Sequence, residues 1–499
     1  MTKLRLAFFT TFLCLAIGIC AQVSSGQGDA AAKAADRRPN ILFAIADDWG
    51  WPHASSYGDA VVQTKTFDRI ARNGVLFHHA YISSPSCTPS RGAILTGQYH
   101  WRLKTGANLY GPFRDEFATY VEILERAGYL SGCSGKAWGP GRPQTRGRKL
   151  TGKKFKNFGE FMESRSGDQP FVYWLGSYDP HRPYNRHSGA KSGMDLSKVH
   201  MFGHYPDHEM IRGDVADYYL EVQRFDRVVG NALRALEKSG ELKNTLVVIT
   251  GDHGMPFPRC KSNLYDAGTR VPLAVMWGAK VRPSRTSQAF VSLTDLAPTF
   301  LQVAGVEIPE DMTGRSLLGL LAGKDDGADR DHVVFGKERH VPSQEAPDLG
   351  GYPGRAIRTR QYLYIRNFEP DRWPNGTPDF QKAVRPGCWY GDTDNGPTKT
   401  YIIDNRDKDD LHRRAYDLCF AKRPAEELYD VVKDPDQLVN LAGDSALGEI
   451  KAGLWQRLES KLRESGDPRV VGGGEKFDQF PYSGGGPQHP SWGKRRRKK

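Results

Sequence analysis

Residues 40–46 read NILFAIA, and the run stops at Asp47 and Asp48. A short, continuously apolar segment is what a strand carries when both of its faces are buried. Three more runs of this kind follow, at 171–177 (FVYWLGS), 245–250 (TLVVIT) and 272–277 (PLAVMW). Between them, residues 68–73, 116–126, 214–238 and 293–303 space their apolar side chains three or four apart, the period of an amphipathic helix. The alternation predicts an α/β fold in which a large, mixed but mostly parallel sheet is sandwiched by helices.

Beyond about residue 330 the pattern changes. Residues 332–337 (HVVFGK) and 356–367 (AIRTRQYLYIRN) alternate their faces as antiparallel strands do, and a helix over 445–462 closes the fold. The predicted organisation is a catalytic domain over 37–335 and a smaller α+β domain, built on an antiparallel sheet, over 336–466. Residues 467–499 are rich in Gly and Pro and end in KRRRKK, a composition that predicts a disordered basic tail. At the other end, Lys3 and Arg5 precede an apolar run over 6–19 and small residues from Ala21, the layout of a signal peptide over 1–21. That run of about 14 residues is shorter than the roughly 20 that cross a bilayer, so no membrane span is expected. The product is then secreted or periplasmic, or lysosomal in a eukaryote.

Lys and Arg number 70 against 58 Asp and Glu, a formal charge of +12, half of it in the last six residues. The excess favours acidic partners. For an exported chain these are sulfated glycans or anionic surfaces rather than a specific nucleic acid. Without the leader, Cys87, Cys133, Cys260, Cys388 and Cys419 remain, an odd and sparse set with no C-x-x-C pair, which excludes a disulfide scaffold. Asn375-Gly376-Thr377 is a glycosylation sequon if the source is eukaryotic.

Ligands of open α/β sheets bind beyond the carboxyl ends of the strands. Here those ends are unusually polar. The first strand runs into Asp47 and Asp48, the 171–177 strand into Asp179, His181 and Arg182, and the 245–250 strand into Asp252 and His253. Adjacent carboxylates repel one another unless a cation lies between them, and a hard divalent ion is the usual solution. Asp47, Asp48 and Asp252 could supply such a site, although a strand-end Asp also commonly caps a helix. Cys87 sits where Pro89 marks the start of a short helix, whose dipole favours negative charge. On chemistry alone it is a thiolate nucleophile, an inert core cysteine or a modified residue.

The string CTPSRGAILTG at 87–97 resembles the formylglycine signature of the type I sulfatases, in which Cys-x-Pro-Ser-Arg directs oxidation of the cysteine to an aldehyde. The order of motifs agrees along nearly the whole mature chain: RPNILFAIADDWG at 38–50, GK at 135–136, DPHRPY at 179–184, TGDHG at 250–254, YDAGTRVPL at 265–273, TGRSL at 313–317 and ELYDVVKDPDQLVNLA at 427–442. DPHR, the GMPFP run at 254–258 and SNLYDAGT at 262–269 look most like the heparan N-sulfatases. The resemblance implies an alkaline phosphatase-like core and a sulfated saccharide substrate. It also implies a formylglycine-generating enzyme as partner and formylglycine at Cys87, whose hydrate attacks sulfur with one hydroxyl and expels sulfate through the other. It implies Asp47, Asp48, Asp252 and His253, with the modified Cys87, as ligands of calcium. Arg91 would orient the nucleophile, Lys136 and Lys261 would neutralise sulfate oxygens, and His181 would protonate the leaving atom. Arg182 and Trp138 would join Lys136, His181 and Lys261 around the substrate.

Two residues depart from the family pattern. His253 stands where many members have Asn, and imidazole is a poorer calcium ligand than an amide oxygen. Trp138 stands in Gly135-Lys136-Ala137-Trp138 where Gly-Lys-x-His is usual, so a proton-handling imidazole is missing. The base role would pass to another group such as His253, to the ion-bound oxygen, or to none. Trp138 itself either stacks on a sugar or packs in the core. A phosphatase or phosphodiesterase of the same superfamily and a catalytically dead glycan binder are the rival readings.

Overall fold

The computed structural model describes residues 37–278 and 280–492. The signal-peptide expectation and the KRRRKK run lie outside these residues. Eight strands form the first sheet: β1 (Asn40–Ala46), β2 (Val75–Tyr81), β3 (Leu130–Ser134), β4 (Lys153–Lys154), β5 (Phe171–Gly176), β6 (Thr245–Gly251), β7 (Leu273–Met276) and β8 (Arg285–Ser292). Their order is β4-β3-β5-β1-β6-β7-β2-β8, and every neighbouring pair is parallel except those that β7 makes with β6 and β2.

β1 shows why the run at 40–46 decided the reading. It is buried along its whole length, and its alternate residues enter opposite cores. Leu42, Ala44 and Ala46 meet the long helix Glu209–Lys238 through Val215, Val222 and Phe225. Ile41, Phe43 and Ile45 face the other layer, where Leu124 of helix Tyr120–Arg126 and Phe300 of helix Leu296–Val303 lie. The period of two and the two-sided burial admit one polar side chain, Asn40 at the start of the strand, whose Nδ2 donates to Glu241 Oε2 at 2.9 Å.

The second sheet comprises β9 (His332–Lys337), β10 (Gly354–Thr359), β11 (Tyr362–Asn367) and β12 (Glu426–Asp430), all antiparallel in the order β12-β11-β10-β9. One face packs on helix Gly448–Glu464 through Val334, Ile357 and Leu428 against Leu454 and Leu458. The other packs on the first domain, with Phe335 and Ile365 against Tyr81, Tyr265 and Phe290. Asp266 joins the two sheets: it accepts hydrogen bonds from Tyr81 and from Arg358 of β10.

Three expectations are corrected. The second sheet begins at His332, so a domain boundary at 335 cuts β9. Residues 467–492 are folded rather than disordered: helices Pro468–Val471 and Lys476–Gln479 follow, Phe477 is buried beside Leu454, and Trp389 donates its backbone N–H to Pro487 O at 2.9 Å. The Gly-rich composition concealed apolar anchors at Phe477, Phe480 and Tyr482. Asn375 is fully buried and donates to Cys419 O, so it offers no acceptor for a glycan in the folded chain. Among the described residues the five cysteines are free and buried, and no helix is long and apolar enough to cross a membrane.

Candidate active site

The parallel pairing of β1 with β6 sets Ala46 beside Gly251, so the residues that follow, Asp47–Asp48 and Asp252–His253, emerge side by side. Asp48 takes φ +73°, a left-handed conformation that a short polar side chain tolerates, and its N–H donates to Asp252 Oδ1 at 2.9 Å. All four side chains are buried. Ligand atoms of Asp47, Cys87, Asp252 and His253 lie within 4.8 Å of one another. Asp48 Oδ1 is buried without a hydrogen-bond donor. The carboxylates of Asp47 and Asp252, with the unpaired Asp48 Oδ1 3.3 Å from His253 Nε2, form a donor set that fits a hard divalent cation.

Cys87 opens helix Cys87–Thr96 as its first residue, with Ser86 at the N-cap. Its Sγ lies 3.2 Å from His253 Nε2 and 3.6 Å from Asp47 Oδ1. Burial pushes the Cys87 thiol above its ordinary range, and Asp47 and Asp252 add to the effect against Lys136 and Lys261. One turn on, Arg91 is fully buried. Its Nε donates to Asp252 Oδ2 at 2.7 Å, and its Nη atoms donate to the carbonyls of Lys136, Ala137 and Ala46. Burial alone would raise Asp252, but the charges of His253, Arg91 and Lys136 bring it below the usual carboxylate range.

Lys136 is delivered by the loop after β3, which crosses the end of β5 against Gly176. A Cβ on Gly176 would lie 1.7 Å from Lys136 O, so only glycine permits the crossing. Lys136 Nζ donates to Asp47 Oδ1 at 2.5 Å, and Lys261 Nζ donates to Asp48 Oδ2 at 2.9 Å and to Asp394 Oδ2 at 3.0 Å. Burial opposes both charges, yet the adjoining carboxylates outweigh it and hold both ammoniums above the ordinary lysine value. His181 Nε2 stands 3.9 Å from Asp48 Oδ2. A cleft of about 990 Å³ opens over Cys87, Lys136, His181 and Lys261.

A second cluster, Asp48, His181 and Asp394, also has ligand atoms within 4.8 Å of one another. The Lys261 ammonium already bridges Asp48 and Asp394, so a second cation there would meet a fixed positive charge. The arrangement suits one ion and not the pair of a two-metal phosphatase.

Arg182 lines the cleft and is also paired within the fold. Its Nη atoms form a bidentate pair with Asp214 at 2.8 and 2.7 Å, its Nε donates to Pro256 O, and it stacks on Tyr184 and Phe257. These contacts brace the 179–184 loop against the long helix, while the residue keeps its place in the cleft wall. Trp138 meets Phe113 edge-on at 5.3 Å and lines the cleft at the same time, with its buried Nε1 unpaired. It serves as a packed wall. Asp394 and His340 line the same cleft and were not anticipated; His340 Nδ1 lies 2.8 Å from Ser86 Oγ, and burial brings its imidazole down to about 3. Both come from loops of the second domain, which no periodic signal marks.

Comparison with known proteins agrees with this geometry. Residues 39–306 match the sulfatase family model, and residues 251–374 match the model of the N-sulphoglucosamine sulphohydrolase C-terminal region. The chain is 29% identical to N-sulphoglucosamine sulphohydrolase of Homo sapiens, covering 87% of this chain and 92% of that protein. It is 27% identical to an ulvan-active sulfatase of Formosa agariphila, covering 87% and 82%. Two solved structures share the fold. One holds its substrate D-glucosamine-2-N,6-O-disulfate (TM-score 0.59, 21% identity, 86% of this chain and 99% of that one). The other is a phosphonate monoester hydrolase of Agrobacterium radiobacter (TM-score 0.64, 17% identity, 87% and 97%). Because the family match spans more than half of the chain and contains Cys87, both carboxylate-bearing strand ends and both lysines, the chain belongs to the sulfatase family, hydrolases of sulfate esters or sulfamates.

Proposed function

We propose that the protein releases sulfate from a sulfated carbohydrate through formylglycine made from Cys87, and that its substrate is a glucosamine N-sulfate of the heparan type. The observation that carries the reading is the position of Cys87: first residue of a helix, on the floor of the cleft, against His253 and Asp47 and within a full modification signature. The choice of an N-sulfated sugar is supported by the match over 251–374 and by the relative aligned over 92% of its length. An O-sulfated polysaccharide is the second reading, favoured by the ulvan-active relatives.

The hydrated aldehyde supplies an oxygen nucleophile and a second hydroxyl through which sulfate is later expelled. Asp47, Asp48, Asp252 and His253 would hold one divalent cation, which we assign as calcium and which supplies charge stabilisation at the sulfate oxygens. Lys136 and Lys261 neutralise charge that spreads over those oxygens in the transition state. Arg91, through Asp252 and three carbonyls, fixes the loops that carry these groups. His181 protonates the leaving oxygen or nitrogen. Its Nδ1 lies 2.6 Å from Arg182 O, so Nδ1 carries a hydrogen and Nε2 faces Asp48. His253 Nδ1 lies 3.1 Å from Gly254 O and donates there, so its one lone pair, at Nε2 beside residue 87, is the one that would hold the cation, and the proton-accepting role left open at Trp138 does not fall to His253.

The test is sulfate release from glucosamine carrying N-, 3-O- or 6-O-sulfate. Preferred turnover of the N-sulfate supports the reading. Preference for an O-sulfate moves the assignment to the second reading, and release from none refutes the carbohydrate assignment.

A further inference from the structure

The cleft is built for an anion, yet beyond Asp47 two further carboxylates, Asp179 and Asp394, line it, and Asp394 is the one bonded to Lys261. Asp394 lies in the loop between β11 and helix Pro397–Asp404, lines the cleft with a side chain about one-fifth exposed, and accepts from Lys261 Nζ at Oδ2, 3.0 Å away. Its Oδ1 receives no hydrogen bond from the described residues. A carboxylate oxygen of the residue lies within 4.8 Å of a ring nitrogen of His181 and an oxygen of Asp48, on the leaving-group side of the site. Lys261, with His181 adding to it, offsets the cost of burial and keeps this carboxyl ionised. A carboxylate with open lone pairs repels sulfate oxygens and, with Lys261 in place, is poorly suited to a second cation. The group it can face is a hydrogen-bond donor on the substrate.

Resting on the sulfated-carbohydrate reading, we infer that Asp394 is a specificity residue that accepts a hydrogen bond from a hydroxyl or nitrogen-bound hydrogen of the sugar next to the sulfate-bearing atom. It thereby selects sugar sulfates over sulfates of groups lacking such a donor. No bond is made or broken at Asp394. Its contact is with the leaving group, and His181 beside it delivers the proton. A charge-assisted contact of this type gives about 10- to 100-fold discrimination against a partner that cannot make it.

The experiment compares the wild-type enzyme with Asp394→Asn and Asp394→Ala on glucosamine N-sulfate, on its 3-deoxy analogue and on 4-nitrophenyl sulfate. Because Lys261 also loses a partner, both variants should slow on both substrates, with the loss in kcat/KM on the sugar exceeding that on the aryl sulfate by about 10- to 100-fold. Removing the 3-hydroxyl should slow the wild type and leave Asp394→Ala unaffected if that hydroxyl is the donor; an unchanged wild type assigns the contact to the nitrogen. Equal losses on sugar and aryl sulfate would overturn the inference and make Asp394 a positioning residue for Lys261, and no loss on either would overturn it outright. A wild type that cleaves aryl sulfate but none of the sugar sulfates would instead remove the carbohydrate reading on which the inference rests.

Discussion

Replacing Arg91 by Met tests how the site is held together. The guanidinium is fully buried, contacts Asp252 at 2.7 Å and lies 3.6 Å from Asp47. Its removal leaves Asp252, with no exposure of its own, short of a directly bonded ionic partner, while Asp47 retains Lys136. Breaking a buried pair from one side costs about 3–5 kcal/mol, because the remaining charge is uncompensated. Three carbonyls also lose a donor. The sign with pH follows from Asp252, whose carboxyl lies below its ordinary value when folded. In the wild type that contribution is present above about pH 4 and lost as pH falls through the lower folded value. In Arg91→Met the carboxyl rises, so the deficit between variant and wild type is largest at neutral pH and narrows as pH falls toward about 4. Urea unfolding at several pH values, with chelator and with calcium, measures both effects. The account predicts a smaller deficit with the ion, which supplies part of the missing compensation, and predicts that adding Asp252→Asn recovers about 1–3 kcal/mol. A variant as stable as the wild type in chelator, or one whose deficit grows on acidification, refutes the reasoning.

Three other outcomes follow from the same contacts. Asp48→Asn should abolish both turnover and retention of calcium, measured by metal analysis after dialysis; normal calcium content would remove Asp48 from the ligand set. Asp266→Ala should destabilise the chain by about 3–5 kcal/mol, since buried Arg358 loses the carboxylate that joins the two sheets. Separation of the unfolding of the two domains in a denaturant series would show the loss, and a change under about 0.5 kcal/mol would contradict it. Asp214→Asn should lower stability and kcat through a slack 179–184 loop with little change in the salt dependence of KM. A raised KM at unchanged stability would instead mean that Arg182 grips sulfate.

Legibility in the sequence tracked local pattern. β1, β5, β6 and β9 were readable within a residue or two because burial dictates each of their side chains. β2 was missed because His78 and His79 interrupt it, and β8 because its first half, Arg285–Gln288, is polar and only its second half is buried. Asp47, Asp48, Asp252 and His253 were legible because strand ends converge in any parallel sheet. For Arg182 the motif gave a residue type but not its partner: Asp214 lies 32 positions away on another element. Asp394 and His340 were invisible for a related reason. They reach the cleft only through packing of the second sheet on the first, a long-range consequence without periodicity. The 467–492 segment was misread since composition counts glycines but does not weigh single aromatic anchors such as Phe477.

The central claim is the chemistry at Cys87, and mass spectrometry of the peptide that contains it tests that claim most directly. Protein produced with a formylglycine-generating enzyme and active in sulfate release should yield a Cys87 peptide in which sulfur is exchanged for oxygen with loss of two hydrogens. An unmodified Cys87 thiol in a fully active preparation would contradict the account.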